Sequence, residues 1–108
     1  MYKLSQKAAD DFGDIYEYTY LNFGEEQADN YTEEMESCLR TLSEAPFIGR
    51  DCSELRPDVR RHDNQKHAIF YRVREFDIFI LRIRGLKPNG TKTYAKLLTP
   101  LNAHLPTF

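Results

Sequence analysis

Two runs of helically spaced residues stand back to back with one glycine between them. This arrangement constrains the fold more than anything else in the chain. From Gln6 to Phe23 the stripe is Ala8, Phe12, Ile15, Thr19 and Phe23, widened by Tyr16 and Tyr20. From Glu25 to Ala45 it is Ala28, Tyr31, Met35, Cys38, Leu39 and Leu42. Ser5 is placed to cap the first helix, and Glu25 and Glu26 suit the positive end of the second. Gly24 ends the first helix and Pro46 closes the second. So short a connection makes the pair an antiparallel hairpin. Neither stripe can bury itself alone. Each fully buried Leu, Ile or Phe contributes roughly 1.5–3 kcal/mol, so the hairpin needs a surface to lie on.

The rest of the chain supplies that surface as strands. "YKLS" at the start is short and alternating, with Tyr2 and Leu4 on one face. Residues 46–58, "PFIGRDCSELRPD", form a long loop with room for a helical turn. Beyond it, "VRRH" is a short strand and "KHAIFYRV" a longer one, and "FDIFILRIR" is the strongest β signal in the chain. Arg74 to Asp77 makes the turn between the last two, with Val73 opposite Ile78. The turn lacks Asn-Gly or Asp-Gly, so turn chemistry does not fix the register.

Both faces of this β-hairpin are apolar in the middle. One carries Ala68, Phe70, Phe79, Leu81 and Ile83 and is assigned to the helices. The other carries Ile69, Tyr71, Val73, Ile78 and Ile80, rimmed by His67, Arg82 and Arg84. On this assignment it stays open, as an apolar patch with a basic rim of the kind that binds partners. The expected fold class is α+β, in the order β-α-α-β-β-β. An antiparallel helix hairpin packs on one face of a small antiparallel sheet. Residues 1–84 form the domain. Residues 85–108 form a C-terminal extension, with a short helix capped by Thr91 and a mobile tail beyond Thr99.

A chain of 108 residues fits one domain, and its 13% aromatic content is globular rather than disordered. It has no apolar run long enough to span a membrane, and "MYKLSQKAADDFGD" lacks the apolar core of a signal peptide. Cys38 and Cys52 read as reduced thiols of a cytoplasmic protein. The net charge of −2 hides a split. Residues 1–45 hold eleven acidic and three basic side chains, and residues 46–108 hold six acidic and twelve basic ones. The basic half is suited to an acidic partner.

His67, Tyr71, Arg82 and Arg84 project from one face. Such a group could contact phosphate or do acid–base work on RNA, or Tyr71 could pack while the arginines are solvated. Arg60, Arg61 and His62 form a second basic cluster. Tyr16, Tyr20 and Phe23 read either as core or as a docking groove. There is no Gly-rich phosphate loop, metal-spaced His/Cys set or Ser/His/Asp nucleophile, so neither cofactor nor metal is expected.

The order of elements and several local patterns resemble the RelE/ParE toxin superfamily, and its ParE branch most of all. "YKLSQKAADDFGDIYEYT" is similar to that family's opening strand and helix, and "NFGEEQADNY" to its helix junction. Leu42, Pro46 and Gly49 match its Leu-x-x-x-Pro-x-x-Gly loop. Arg60, His67, Ile69 and Tyr71 match its central strand pair, and Ile80 and Arg82 its last strand. The similarity spans about residues 2–84. After Arg82-Ile83 the chain departs from the usual "R-I-L-H" ending, a region that contributes to toxicity in the family.

The resemblance implies the toxin of a type II toxin–antitoxin module. A small ParD-like antitoxin would neutralise it, with a disordered segment that folds on binding. When free, the toxin would inhibit DNA gyrase and replication, with no enzymatic activity, no membrane and no direct nucleic-acid binding. On this reading the antitoxin-binding candidates are Tyr16, Tyr20, Phe23, Ile69, Tyr71, Ile78 and Ile80. The target-binding candidates are Arg60, Arg61, His67, Arg82 and Arg84. A RelE-like ribosome-dependent mRNA endonuclease, or an inactive homologue that only binds antitoxin, are the alternatives.

Overall fold

The computed structural model describes residues 1–86. The helix after Thr91 and the tail expected from the sequence lie outside the described residues. The elements are β1 (Tyr2–Leu4), α1 (Gln6–Phe23), α2 (Glu25–Glu44), β2 (Arg50–Asp51), β3 (Val59–Asn64), β4 (His67–Val73) and β5 (Ile78–Gly85). The strands form one sheet in the order β1-β5-β4-β3-β2. β1 runs parallel to β5, with Tyr2 opposite Ile78 and Leu4 opposite Ile80. The sheet is therefore mixed rather than wholly antiparallel. The short β2 occupies the loop where a helical turn was expected.

Local chemistry sets the helix ends. Ser5 accepts the Ala8 N–H at 2.9 Å, which caps α1. Its hydroxyl donates to the Leu81 carbonyl at 2.8 Å, and its own N–H donates to Ile80 O at 2.9 Å. One residue thus starts the helix and extends the β1–β5 contact. Farther along, the Asp11 carboxylate accepts the Ile83 N–H at 3.0 Å. The flank of β5 that β1 leaves uncovered is thereby closed by side chains of the β1–α1 junction and α1. Gly24, at φ 96°, joins the helices in a conformation that L residues rarely adopt.

The face assignment is the main correction. Ile69, Tyr71, Ile78, Ile80 and Ile83 pack under the helices against Ala8, Met35, Leu39 and Leu42. The second face is not bare. Ala68, Phe70 and Leu81 are buried with Cys52 and Val59, and Leu55, Phe79 and Leu86 pack against them. The helix side takes the bulkier branched set, and the loop after β2 contributes Cys52 and Leu55 to the other side. A register shift explains the rest. Tyr71 pairs with Ile80 but Phe70 pairs with Arg82, so Leu81 is the extra residue of a bulge. Beyond it the alternation of β5 reverses. Ile83 joins the helix side, while Arg82 and Arg84 stand opposite Phe70 and Ala68, apart from Ile78 and Ile80.

The Tyr71 hydroxyl ties the sheet to the segment after α2. It donates to the Pro46 carbonyl at 2.7 Å and accepts the Gly49 N–H at 3.0 Å. Arg60, opposite Tyr71 on β3, donates to the Gly49 carbonyl at 2.6 Å. The Pro46–Gly49 loop is pinned at both ends, and Gly49 lies where a side chain would collide with the Tyr71 ring.

Candidate partner interface

The α1 helix presents more apolar surface than its buried stripe needs. Tyr18, Leu21 and Phe23 are 63–72% exposed, and Tyr20 is also exposed. Tyr16 stacks on Tyr20 with ring centroids 6.3 Å apart and donates to Asp29 at 2.9 Å. Accepting that bond keeps the Asp29 charge close and raises the phenol's pKa above its ordinary value. Tyr18 and Phe23 line a cleft of about 410 Å³ with Ile15, Tyr31, Lys66 and His67. A hollow of about 310 Å³ shares Asp14, Ile15 and His67 with it and leads to Arg84 and Gly85. Together they form a groove along α1, apolar around Tyr18 and Phe23 and lined by charges of both signs, Asp11, Asp14 and Arg84, at the other end. Its size and apolar character suit side chains of another chain.

His67 stands between the two hollows. Its Nδ1 lies 2.5 Å from the Tyr31 hydroxyl, which donates to it when the proton of the neutral ring sits on Nε2. Burial lowers its pKa below the usual 6.5, against the raising effect of Asp11, and Lys66 lowers it further. Burial raises the pKa of Tyr31. Between the folded and unfolded pKa of His67 the unfolded chain binds more protons, so stability rises with pH there. We expect full stability above about pH 6.5, lost as the pH falls through the depressed folded value. A His67→Gln variant, compared by thermal melting across pH 4.5–8, should show a flatter profile in this window.

The structure divides the sequence-derived candidates. Tyr16, Tyr20 and Phe23 lie on the accessible α1 surface. Ile69, Tyr71, Ile78 and Ile80 do not, since each is 0–1% exposed beneath the helices. The period-two pattern could not choose between two greasy faces, and the hairpin covers the one expected to be open. The basic candidates fall in two places. Arg60 and Arg61 lie beside β2, where the Arg60 guanidinium sits 4.9 Å over the Phe47 ring and Arg61 makes a two-bond pair with Asp63. His67, Arg82 and Arg84 lie near α1 at the other side of the sheet. Arg82 forms a two-bond pair with Asp11 at 2.8 and 3.0 Å, so it anchors α1. Arg84 is half-buried, and burial and the neighbouring Arg82 lower its pKa.

Sequence reasoning missed Tyr18, Leu21, Phe47 and Ile48. The signal was present: apolar residues off the helical stripe, and an apolar pair inside a Pro/Gly loop. Among the described residues, no three His, Cys, Asp or Glu side chains gather to hold a metal, and no helix is long and apolar enough to cross a membrane.

The backbone is similar to a solved chain described as "Chromosomal ParDE TA system from P. aeruginosa". The TM-score is 0.70 at 25% identity, over 80% of this chain and 95% of that one. A helix hairpin on one face of a small mixed sheet is thus a build shared with a toxin–antitoxin protein. Residues 2–85 match the family described as "ParE toxin of type II toxin-antitoxin system, parDE". Toxin ParE1 of Caulobacter vibrioides is 36% identical over 72 residues, covering 67% of this chain and 75% of the relative. Toxin ParE1 of Mycobacterium tuberculosis is also 36% identical over 72 residues, covering 74% of its own length. The chain belongs to the ParE toxin family of type II toxin–antitoxin systems.

Proposed function

We propose that the chain is a growth-arresting toxin of the cytoplasm, held inactive by a ParD-like antitoxin and inhibiting DNA gyrase when free. The observation that carries the antitoxin reading is the α1 surface. Tyr18 and Phe23 stand in water around a cleft lined by Ile15 and Tyr31, and Leu21 is exposed on the same helix. An amphipathic segment that folds on binding would bury this surface. Tyr16 and Tyr20 extend it toward α2, and Lys66 and Arg84 offer positive charge to an acidic segment. The solved ParDE relative supports a partner of this kind.

Tyr71 favours the non-enzymatic reading over a RelE-like nuclease. A nuclease tyrosine must reach a scissile phosphate, whereas this one is buried and bonded to Pro46 and Gly49. Arg82, a second candidate for such chemistry, is occupied by Asp11.

The test is co-purification with the product of the adjacent reading frame, followed by a supercoiling assay on purified gyrase. The chain should block supercoiling, and the antitoxin should restore it. Codon-mapped mRNA cleavage with normal supercoiling would replace this reading by the nuclease, and induction without growth arrest by the inactive homologue. Tyr71→Phe should cost about 1–2 kcal/mol of stability, from lost hydrogen bonds and a buried unpaired Gly49 N–H. It should leave arrest in place below its melting temperature. Loss of arrest at unchanged stability would give Tyr71 a chemical role.

A further inference from the structure

The loop after α2 is a built display of apolar side chains. It is fixed at Pro46 and Gly49 by Tyr71 and Arg60, yet the two residues between point into water. Phe47 is 66% and Ile48 52% exposed. A floppy loop would cost ordering entropy on docking, and this one is already ordered. Beside it, Ile48, Arg50, Arg61 and His62 line a hollow of about 320 Å³, and Arg60 stacks on Phe47. β2 is the outermost strand of the sheet on this side.

We propose that the Phe47–Ile48 loop and its neighbouring arginines form a second docking surface, separate from the α1 groove, for an acidic, extended segment of the protein target. The segment's assignment to the target rests on the toxin reading above. Charge selects this occupant. Arg50, Arg60 and His62 surround the apolar pair, whereas the outer surface of α2 carries Glu33, Glu34 and Glu36. An acidic segment is repelled from the helices and steered to the β2 side. Asp51 and Asp63 stand among the arginines, so the positive charge comes in small spots, which suit the spaced carboxylates of a peptide better than the continuous phosphates of a nucleic acid. Phe47 and Ile48 are the apolar anchors, and such residues dominate interface energetics when they enter a partner's pocket.

The test uses the full chain and a labelled short peptide that alternates Glu with Leu and Phe. A version with Lys in place of Glu, and oligothymidine, serve as controls. The Glu peptide should bind about tenfold more tightly than the Lys peptide. Arg50→Glu and Ile48→Asp should each weaken it about tenfold or more, with an unchanged melting temperature. Equal binding of both peptides, tighter binding of oligothymidine, or variants that bind as well as the parent would overturn the proposal.

A second arm measures cognate antitoxin affinity and growth arrest. Arg50→Glu should keep the affinity within about threefold and lose the arrest. Loss of antitoxin affinity, or full arrest by both variants, would also overturn it. If the unaltered chain causes no arrest, the toxin reading fails, and peptide selectivity alone decides whether the surface exists.

Discussion

Replacing Asp11 with Ala should lower the melting temperature by roughly 15 °C. The carboxylate makes three bonds at once: two to the Arg82 guanidinium and one to the Ile83 N–H. Both charged side chains are only 12% exposed. Removing one member of such a pair strands the other charge and an unpaired backbone donor, at a cost of about 3 kcal/mol. In a domain of this size each kcal/mol moves the melting temperature by roughly 4–8 °C. Asp11→Asn, which keeps acceptor capacity but not charge, should lose less. A double-mutant cycle with Arg82→Ala should give a coupling above about 1 kcal/mol. Additive losses would mean that the pair is incidental, and Arg82 would again be available as a partner contact.

Gly49→Ala should destabilise the protein by about 3 kcal/mol, for steric rather than conformational reasons. A β-carbon built there lies 2.3 Å from the Tyr71 hydroxyl oxygen and 2.9 Å from two ring carbons. The ring is fully buried and cannot move aside. The loop must shift instead, breaking the hydrogen bonds that the hydroxyl makes to Pro46 and Gly49. Denaturant melts of Gly49→Ala, Tyr71→Phe and the double variant separate the two effects. Removing the oxygen relieves the closest contact, so the double variant should be more stable than the sum of the single losses predicts. Strict additivity would show that the loop accommodates the methyl group by other means.

The sequence carried the local features well. The stop at Gly24, the cap at Ser5 and the turn from Arg74 to Asp77 follow from short-range chemistry. The structure has each in place, with Val73 opposite Ile78 as expected. It did not carry which side of the β4–β5 hairpin the helices cover. Residues 67–84 are apolar on both faces, and the choice depends on contacts far away in sequence. Tyr2 is set against Ile78, and Cys52 and Leu55 are folded onto the far face. The Leu81 bulge has no sequence signature and reverses every residue after it. The partner of Arg82 lies 71 residues upstream, beyond any periodicity argument. Pro46, Gly49 and Tyr71 were visible as parts of a resemblance. Their common role, two backbone groups bound to one hydroxyl, required the folded geometry.

The sheet is long in the middle and short at its margins. Strands of six, seven and eight residues lie inside, between borders of three and two. Ser5 and Asp11 occupy the overhang of the longest. A neighbouring molecule seeking to zip onto this layer would find few rungs on either side before meeting a turn or a helix. Margins with so few rungs are poor templates for the edge-to-edge pairing that seeds fibrils.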